Sequence, residues 1–266
     1  MRRTIFIILT IFACILFSQT AEARDFVLII DAGHGGKDVG AKGSRHKEKD
    51  INLAVAKLLA ARVKKEYKDV KVVMTRDKDE FVSLKDRAAT ANNAHGDLFI
   101  SIHVNSLPLK SKKRKTFNGA EVYTLGLGKS EENLAVAMRE NSVMSLESDY
   151  SEEYQGFDPE SPESYIIFEL SQTADMEQSI DMADLVQQSL VAKAGRRDIG
   201  VKQSGFWVLW ATSMPSILIE LDFISNPTQE QFLGSAEGQR KLADAIFDAF
   251  KKYRKLYPIV DSTQKK

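Results

Sequence analysis

The chain has 266 residues, with 37 Lys and Arg against 37 Asp and Glu, four His and a single Cys. A formal charge of zero leaves no basic footprint for nucleic acid. One cysteine excludes a disulfide framework and a thiolate metal cluster, so any metal must be held by histidine and carboxylate.

The chain opens MRRTIFIILTIFACILFSQTAEA, in which Arg2 and Arg3 precede an apolar run from Ile5 to Phe17 and a small-x-small end at Ala21-Glu22-Ala23. This is the pattern of a secretory signal peptide over 1–23, cleaved to leave a mature chain from Arg24 and exported to the periplasm or cell envelope. The run is shorter than the roughly 20 residues of a membrane span, so no stable span is expected after cleavage. Cys14 lies inside it behind bulky Phe12, which does not suit lipoprotein processing, and the mature chain therefore has no catalytic thiol. It keeps 35 basic and 36 acidic residues. A chain of roughly 240 residues is ample for one well-cored domain.

Beyond the leader, short β-rich runs alternate with helical patterns. Strands are expected at Phe26–Ile30, Val70–Met74, Leu98–Ile102, Ala120–Leu125, Phe206–Trp210 and Ile217–Leu221. Helices are expected at Asp50–Tyr67, Ser83–Ala94, Glu131–Met144, Met176–Ala194 and Glu237–Tyr257. The alternation predicts a single α/β domain over 24–260, a mostly parallel twisted sheet of about six strands flanked by helices, with a polar tail at 261–266. Ligands of such sheets sit outside the carboxyl ends of the strands. Two stretches break the rhythm. PLKSKKRK carries five basic residues between Lys110 and Lys115, and Glu140 to Gln188 carries thirteen acids and no Lys or Arg. Each reads first as a solvated face; the sharper reading makes Leu146–Leu170 an insertion folded over a site, against the basic loop.

The four histidines separate by position. His34 follows the first strand in FVLIIDAGHGGKDVGA and His103 ends DLFISIH, so in a parallel arrangement both reach the same carboxyl-end rim. His95 precedes its strand and belongs to the opposite rim, and His46 lies in the charged loop SRHKEKD. Two convergent histidines and one carboxylate would hold a catalytic zinc with a position open for water. Glu48, just before the helix near Asp50, is the nearest carboxylate; Asp38 and Asp50 compete with it, and a helix cap is its plain alternative. Asp31 points into the sheet packing. Glu220, in PSILIELDF, is an acid inside an apolar strand, costly to bury unless it is paired or used as a base with a raised pKa. Glu169, in YIIFEL, has the same ambiguity. TLGLGKSEENLAVAM echoes half a phosphate loop, but Tyr123 stands where its first glycine belongs. HKE at His46–Glu48 echoes a zinc-deaminase motif whose cysteines are absent.

In combination, DAGHGGKDVGA, a glutamate at the head of the next helix, TRDKDEFVSLKDRAATAN, SIHVNS and PSILIELDFISNP keep the order and spacing of the zinc-dependent N-acetylmuramoyl-L-alanine amidases of the bacterial cell envelope. The chain resembles them from about Phe26 to Tyr257. The resemblance implies zinc held by His34, Glu48 and His103, Glu220 as the catalytic carboxylate, and Asn105 as a substrate contact. It implies hydrolysis of the amide between N-acetylmuramic acid and L-alanine in peptidoglycan, in wall remodelling or daughter-cell separation. The glycines around His34 would turn the chain and leave room for a glycopeptide. Some members block their site with an insertion that a partner protein displaces; here this implies a regulatory insertion at about 145–175, an activator protein, and an acid such as Glu169 approaching the zinc at rest. Asp222 departs from the glycine usual in these proteins, and on Glu220's face it would raise the pKa of the base. Two alternatives remain: a cell-wall binding protein on this scaffold with its chemistry lost, and a zinc cell-wall peptidase.

Overall fold

A computed structural model of the protein describes residues 24–126, 128, 130–147, 152, 154, 156–169 and 175–259. The expected leader, the tail and part of the expected insertion lie outside them. Among the described residues no helix is long and apolar enough to cross a membrane.

Six strands form one sheet: β1 (Phe26–Ala32), β2 (Val70–Met74), β3 (Leu98–Asn105), β4 (Ala120–Leu125), β5 (Asp198–Ser204) and β6 (Ser216–Phe223), in the order β2-β1-β3-β6-β4-β5. The strands β2, β1, β3 and β6 pair in parallel, and β4 pairs in parallel with β5 but antiparallel to β6. The expected mostly parallel sheet is thus present. Because β4 is reversed, its first residues, Ala120 and Glu121, lie at the rim where β3 and β6 end.

The two faces of the sheet follow from the period of two along each strand. Leu28, Ile30, Ile100, Ile102, Ile217 and Ile219 form one face. They pack on helices α1 (Glu48–Glu66), α4 (Met176–Ala194) and α7 (Ala236–Leu256), through Leu59, Val186, Ile246 and Phe250 among others. Val27, Ile29, Phe99, Tyr123 and Leu218 form the other face. It is covered by α2 (Leu84–Asn93), α3 (Glu131–Asn141), the short α5 (Trp207–Trp210) and the buried Tyr154, Tyr165 and Phe168 of the acidic segment. His103, Asn105, Glu121 and Glu220 occupy this second face, at alternate positions from its apolar residues.

One expected strand was misplaced. Phe206–Trp210 is not a strand; Trp207–Trp210 makes a single helical turn, and the sixth strand is the preceding Asp198–Ser204. That strand is the sheet's edge, half-exposed and therefore polar, whereas the aromatic run is apolar because Phe206 and Trp207 are buried against Tyr123 and Tyr154. A further helix, α6 (Pro227–Gly234), starts after the capping side chain of Asn226 with Pro227 in its first turn, a start signal that the sequence carries.

Candidate active site

The strand β1 ends at Ala32, and the chain turns at once through Gly33-His34, with His34 at φ 61. A histidine in the left-handed region costs about 1–3 kcal/mol and persists only where its surroundings fix it. Two buried arginines do so. Arg76 donates to the carbonyls of Ala32, Gly33 and Lys49, and Arg87 donates to those of Ala32 and His34. Both come from the motif TRDKDEFVSLKDRAATAN, which supplies no reactive group of its own and instead clamps the histidine loop. Gly33 is needed because a Cβ there would run into the His103 imidazole, and one on Gly40 would meet His34 and Glu48. Those two glycines make room for the side chains of His34, Glu48 and His103, where the sequence suggested room for a glycopeptide.

The expected trio comes together. Glu48 is the first residue of α1 and is fully buried. It is no helix cap: Oε1 accepts from the backbone N–H of Val104 at 2.8 Å and Oε2 from that of Ala41 at 2.7 Å, both outside its helix. His34 Nδ1 is 2.7 Å from Asp38 Oδ2, which fixes the ring and turns Nε2 inward. Asp38 is thus an orienting carboxylate. Asp50 is exposed. Asp31 is buried and accepts from Ser101, Thr75 and Arg87, as its strand position implied.

A fourth group joins them that the sequence reading did not single out. Glu140, next to last in α3, places Oε2 3.0 Å from His34 Nε2 and 3.0 Å from His103 Nδ1, while Glu48 Oε1 lies 3.2 Å from each of the same two nitrogens. Tetrahedral donors about 2.0 Å from a shared centre stand about 3.3 Å apart, so these four spacings fit a metal shell, and all four ligand atoms lie within 4.8 Å of one another. His34 Nε2 and Glu140 Oε2 are buried and, despite their 3.0 Å separation, have no hydrogen-bond partner. Atoms that are close but not aligned on each other are aimed at a common point. The two carboxylates also draw positive charge into this space. Burial opposes protonation of His103, but Glu140 and Glu48 lift it to about 9, and His34 is raised for the same reasons. The residues therefore fit a divalent cation with mixed imidazole and carboxylate ligands. Beside them the free space is about 20 Å³, room for roughly one water.

Glu220 sits opposite His103 on β3 and opposite Glu121 on β4, fully buried. Burial drives its carboxyl well above the usual range; Arg139 opposes this and Glu140 and Glu48 add to it. Arg139 Nη2 donates to Glu220 Oε1 at 3.0 Å, and the same guanidinium pairs with Glu140. Asp222 does not share that environment. The β3–β6 register shifts between His103 and Asn105, and Asp222 is held by Arg196 at 2.7 Å and by the backbone N–H of Gly119. The expected effect of Asp222 on Glu220 is corrected accordingly.

Asn105 is buried at the same rim, donating to Glu121 and accepting from Arg139 at 2.9 Å. The side chain of Glu169 lies outside the described residues; the acid at the two histidines is Glu140, ahead of the segment expected to supply it. The one signal for it in the sequence is that Glu140 opens the stretch without Lys or Arg. His95 precedes β3 as expected, and His46 packs on Gly234, away from the site.

A family model for N-acetylmuramoyl-L-alanine amidase matches residues 28–252. The chain is 32% identical to the N-acetylmuramoyl-L-alanine amidase AmiC of Escherichia coli O6:H1 over 242 residues, 88% of this chain but only 54% of that protein. It is 30% identical to AmiA of E. coli K12 over 231 residues, 85% of this chain and 75% of AmiA. Among solved structures, the N-acetylmuramoyl-L-alanine amidase of Clostridium difficile 630 superimposes with a TM-score of 0.65 at 29% identity, covering 87% of this chain and 98% of that one. The CwlD amidase of Clostridioides difficile, in complex with the GerS lipoprotein, shares the fold at 22% identity and a TM-score of 0.64, covering 88% of this chain and all of that one.

Proposed function

The chain belongs to the N-acetylmuramoyl-L-alanine amidase family, and on that premise we propose that it is an exported zinc hydrolase, resting in a self-blocked state, whose metal is held by His34, Glu48 and His103. It hydrolyses the amide between N-acetylmuramic acid and L-alanine in peptidoglycan. The observation that carries the zinc assignment is the pair of carboxylate oxygens, each set 3.0–3.2 Å from both imidazole nitrogens in a buried space.

Bound there, zinc would supply a Lewis acid to polarise the scissile carbonyl and to ease the ionisation of the attacking water. Glu220 takes that water's proton and passes it to the departing amine of L-alanine. Its burial suits the task, because a carboxyl pushed up from its usual range can both accept and return a proton near neutrality. Asp38 holds the His34 ring, and the clamp of Arg76 and Arg87 holds the backbone that carries it. Asn105 contributes a buried amide beside Glu220 on the substrate side.

In this arrangement Glu140 and Arg139 occupy both halves of the machinery: the acid sits on the histidines and the guanidinium on the base. Substrate then requires the last turn of α3 to move. The amidase–lipoprotein complex of CwlD is consistent with a partner that binds such a protein; here the partner would withdraw the last turn of α3, which carries Arg139 and Glu140, and the segment after it, about 145–175. Export rests on the pattern of residues 1–23, which places the enzyme with its polymeric substrate. The binding-protein alternative loses its warrant once Asp222 is tied to Arg196.

The test incubates the purified mature chain, with zinc and with a chelator, on cell-wall sacculi and identifies soluble products by mass. Zinc-dependent release of peptides that begin with L-alanine, from both the wild type and the Arg139→Ala/Glu140→Ala variant and lost in Glu220→Ala, is the expected result. Release of peptides cut elsewhere in the stem would favour the peptidase instead.

A further inference from the structure

A cavity of about 950 Å³ opens beside Asn105 and Arg139, between α3 and the basic loop that follows β3. Its size is at the upper end of ordinary ligand sites and leaves room for a short peptide. Tyr123, Phe223 and Phe117 give it apolar floor and wall, and Val136 of α3 faces them. Asn105 and Arg139 lie at its inner end, so it runs on from the site already described.

The charges around this groove are uneven. Four cations line it, and two are already committed: Lys202 pairs with Glu121, and Arg139 with Glu140 and Glu220. Lys113 and Arg114 remain, and among the described residues no carboxylate pairs with either; Glu132, on the opposite wall, makes no ion pair with them. Arg114 is pinned in place by donating to Ser106 and to the carbonyl of Leu107. Its charge is therefore fixed at the groove edge. Lys113 is exposed and free to swing. The loop's other cations, Lys110, Lys112 and Lys115, are exposed but do not line the groove.

We infer that this groove seats the stem peptide and that Lys113 and Arg114 make the protein selective for stems whose carboxylates are free over stems in which they are amidated. The inference rests on the amidase reading and adds to it the charge state of the preferred substrate. An apolar trough accommodates the peptide backbone and its small side chains, while two unpaired cations on one edge select an anionic occupant by complementarity. The contacts are at a wet rim, so each is worth a modest factor and is screened by salt.

The experiment measures binding of two soluble peptides to the full mature protein by calorimetry: L-alanyl-D-isoglutamyl-L-lysyl-D-alanine, and the same peptide with isoglutamine in its second position. The acidic peptide should bind about fivefold more tightly, a preference that fades as ionic strength rises from about 0.05 to about 0.5 M. Lys113→Gln should reduce the preference and Lys113→Glu should reverse it, with melting temperature unchanged at this exposed position. Replacing Lys110, Lys112 and Lys115 together by Gln should leave it intact. Equal affinity for the two peptides, or a preference that follows the three outer lysines and ignores Lys113, would overturn the inference. Cleavage of sacculi by the Arg139→Ala/Glu140→Ala variant, run in parallel, separates the two claims. Cleavage with equal or undetectable binding of the peptides sinks the groove assignment alone, and no cleavage with no binding sinks the amidase reading with it.

Discussion

Arg139 donates to the buried carboxylate of Glu220 at 3.0 Å, and the next residue in the chain, Glu140, lies 3.0 Å from both His34 Nε2 and His103 Nδ1. One turn at the end of α3 therefore reaches Glu220 and the cluster of His34, Glu48 and His103 together. The Arg139→Ala/Glu140→Ala variant should release peptides from sacculi at least about tenfold faster than the wild type without an activator, the factor that corresponds to losing about 1.4 kcal/mol of closed-state preference. A variant no faster than the wild type would show that α3 is not a block. The single change Glu140→Gln, which keeps size and loses charge, should give an intermediate rate.

Glu220 is the only fully buried acid in β6 that has no backbone donor, and one of its oxygens has no partner at all. In the Arg139→Ala/Glu140→Ala background, Glu220→Gln should lower kcat by about 10²–10⁴ while zinc content stays at one equivalent, because in the proposed mechanism the residue moves protons and does not hold the metal. Loss of zinc together with activity would reassign it as a ligand.

The orienting role of Asp38 separates metal affinity from folding. Asp38→Ala should weaken zinc binding about 10–100-fold in competition with a fluorescent chelator. The melting temperature of the metal-free protein should fall much less, since the side chain of Asp38 bonds only His34 and the N–H of Gly40. A loss of apo-protein stability as large as the loss of affinity would make its role structural.

Much of this site was legible because its signals are local. SIHVNS alternates polar and apolar residues, so His103 and Asn105 had to share a face of β3; Glu220 stood out as an acid inside the apolar run of PSILIELDF, and His34 had to follow the neighbouring strand. Glu140 and Arg139 were not legible in that way. An Arg-Glu pair at a helix end looks like any solvated turn, and only the return of α3 over the rim, set by contacts such as Asn141 to the carbonyl of Gly205 and to Tyr165, brings it onto the histidines and Glu220. Arg76 and Arg87 were hidden for a related reason, since their partners are carbonyls of a loop more than 40 residues earlier. The β5 strand escaped because an edge strand buries too little to show an apolar run.

Zinc itself should be visible as stability. A ligand that binds only the folded state adds about 4 kcal/mol at a thousandfold excess over its dissociation constant. Addition of zinc to chelator-stripped protein should therefore raise its melting temperature by several degrees, and His103→Ala should abolish the rise. A shift of the same size in that variant would place the ion elsewhere.

Asp31 gives the fold a defined acid limit. Burial opposes its ionisation, but Arg87 at 2.7 Å and the hydroxyls of Ser101 and Thr75, each at 2.6 Å, outweigh burial and hold it down at about 2, below the ordinary value of 3.8. A carboxyl depressed in the folded state stabilises it fully above its unfolded pKa, and that stability is lost as pH falls through the folded one. For Asp31 the window is about pH 4 down to about pH 2, and a shift of nearly two units corresponds to about 2 kcal/mol. Glu230, also held near 2, by Ser44 and the loop N–H groups of Arg45 and His46 against its own burial, loses its share in the same window. Asp31→Asn should therefore lower stability at neutral pH and make the fall in urea midpoint between pH 4 and pH 2 shallower without removing it. An unchanged slope in that variant would mean that the arginine and hydroxyl contacts do not favour the ionised form, and that the loop carrying His34 is not anchored through this charge.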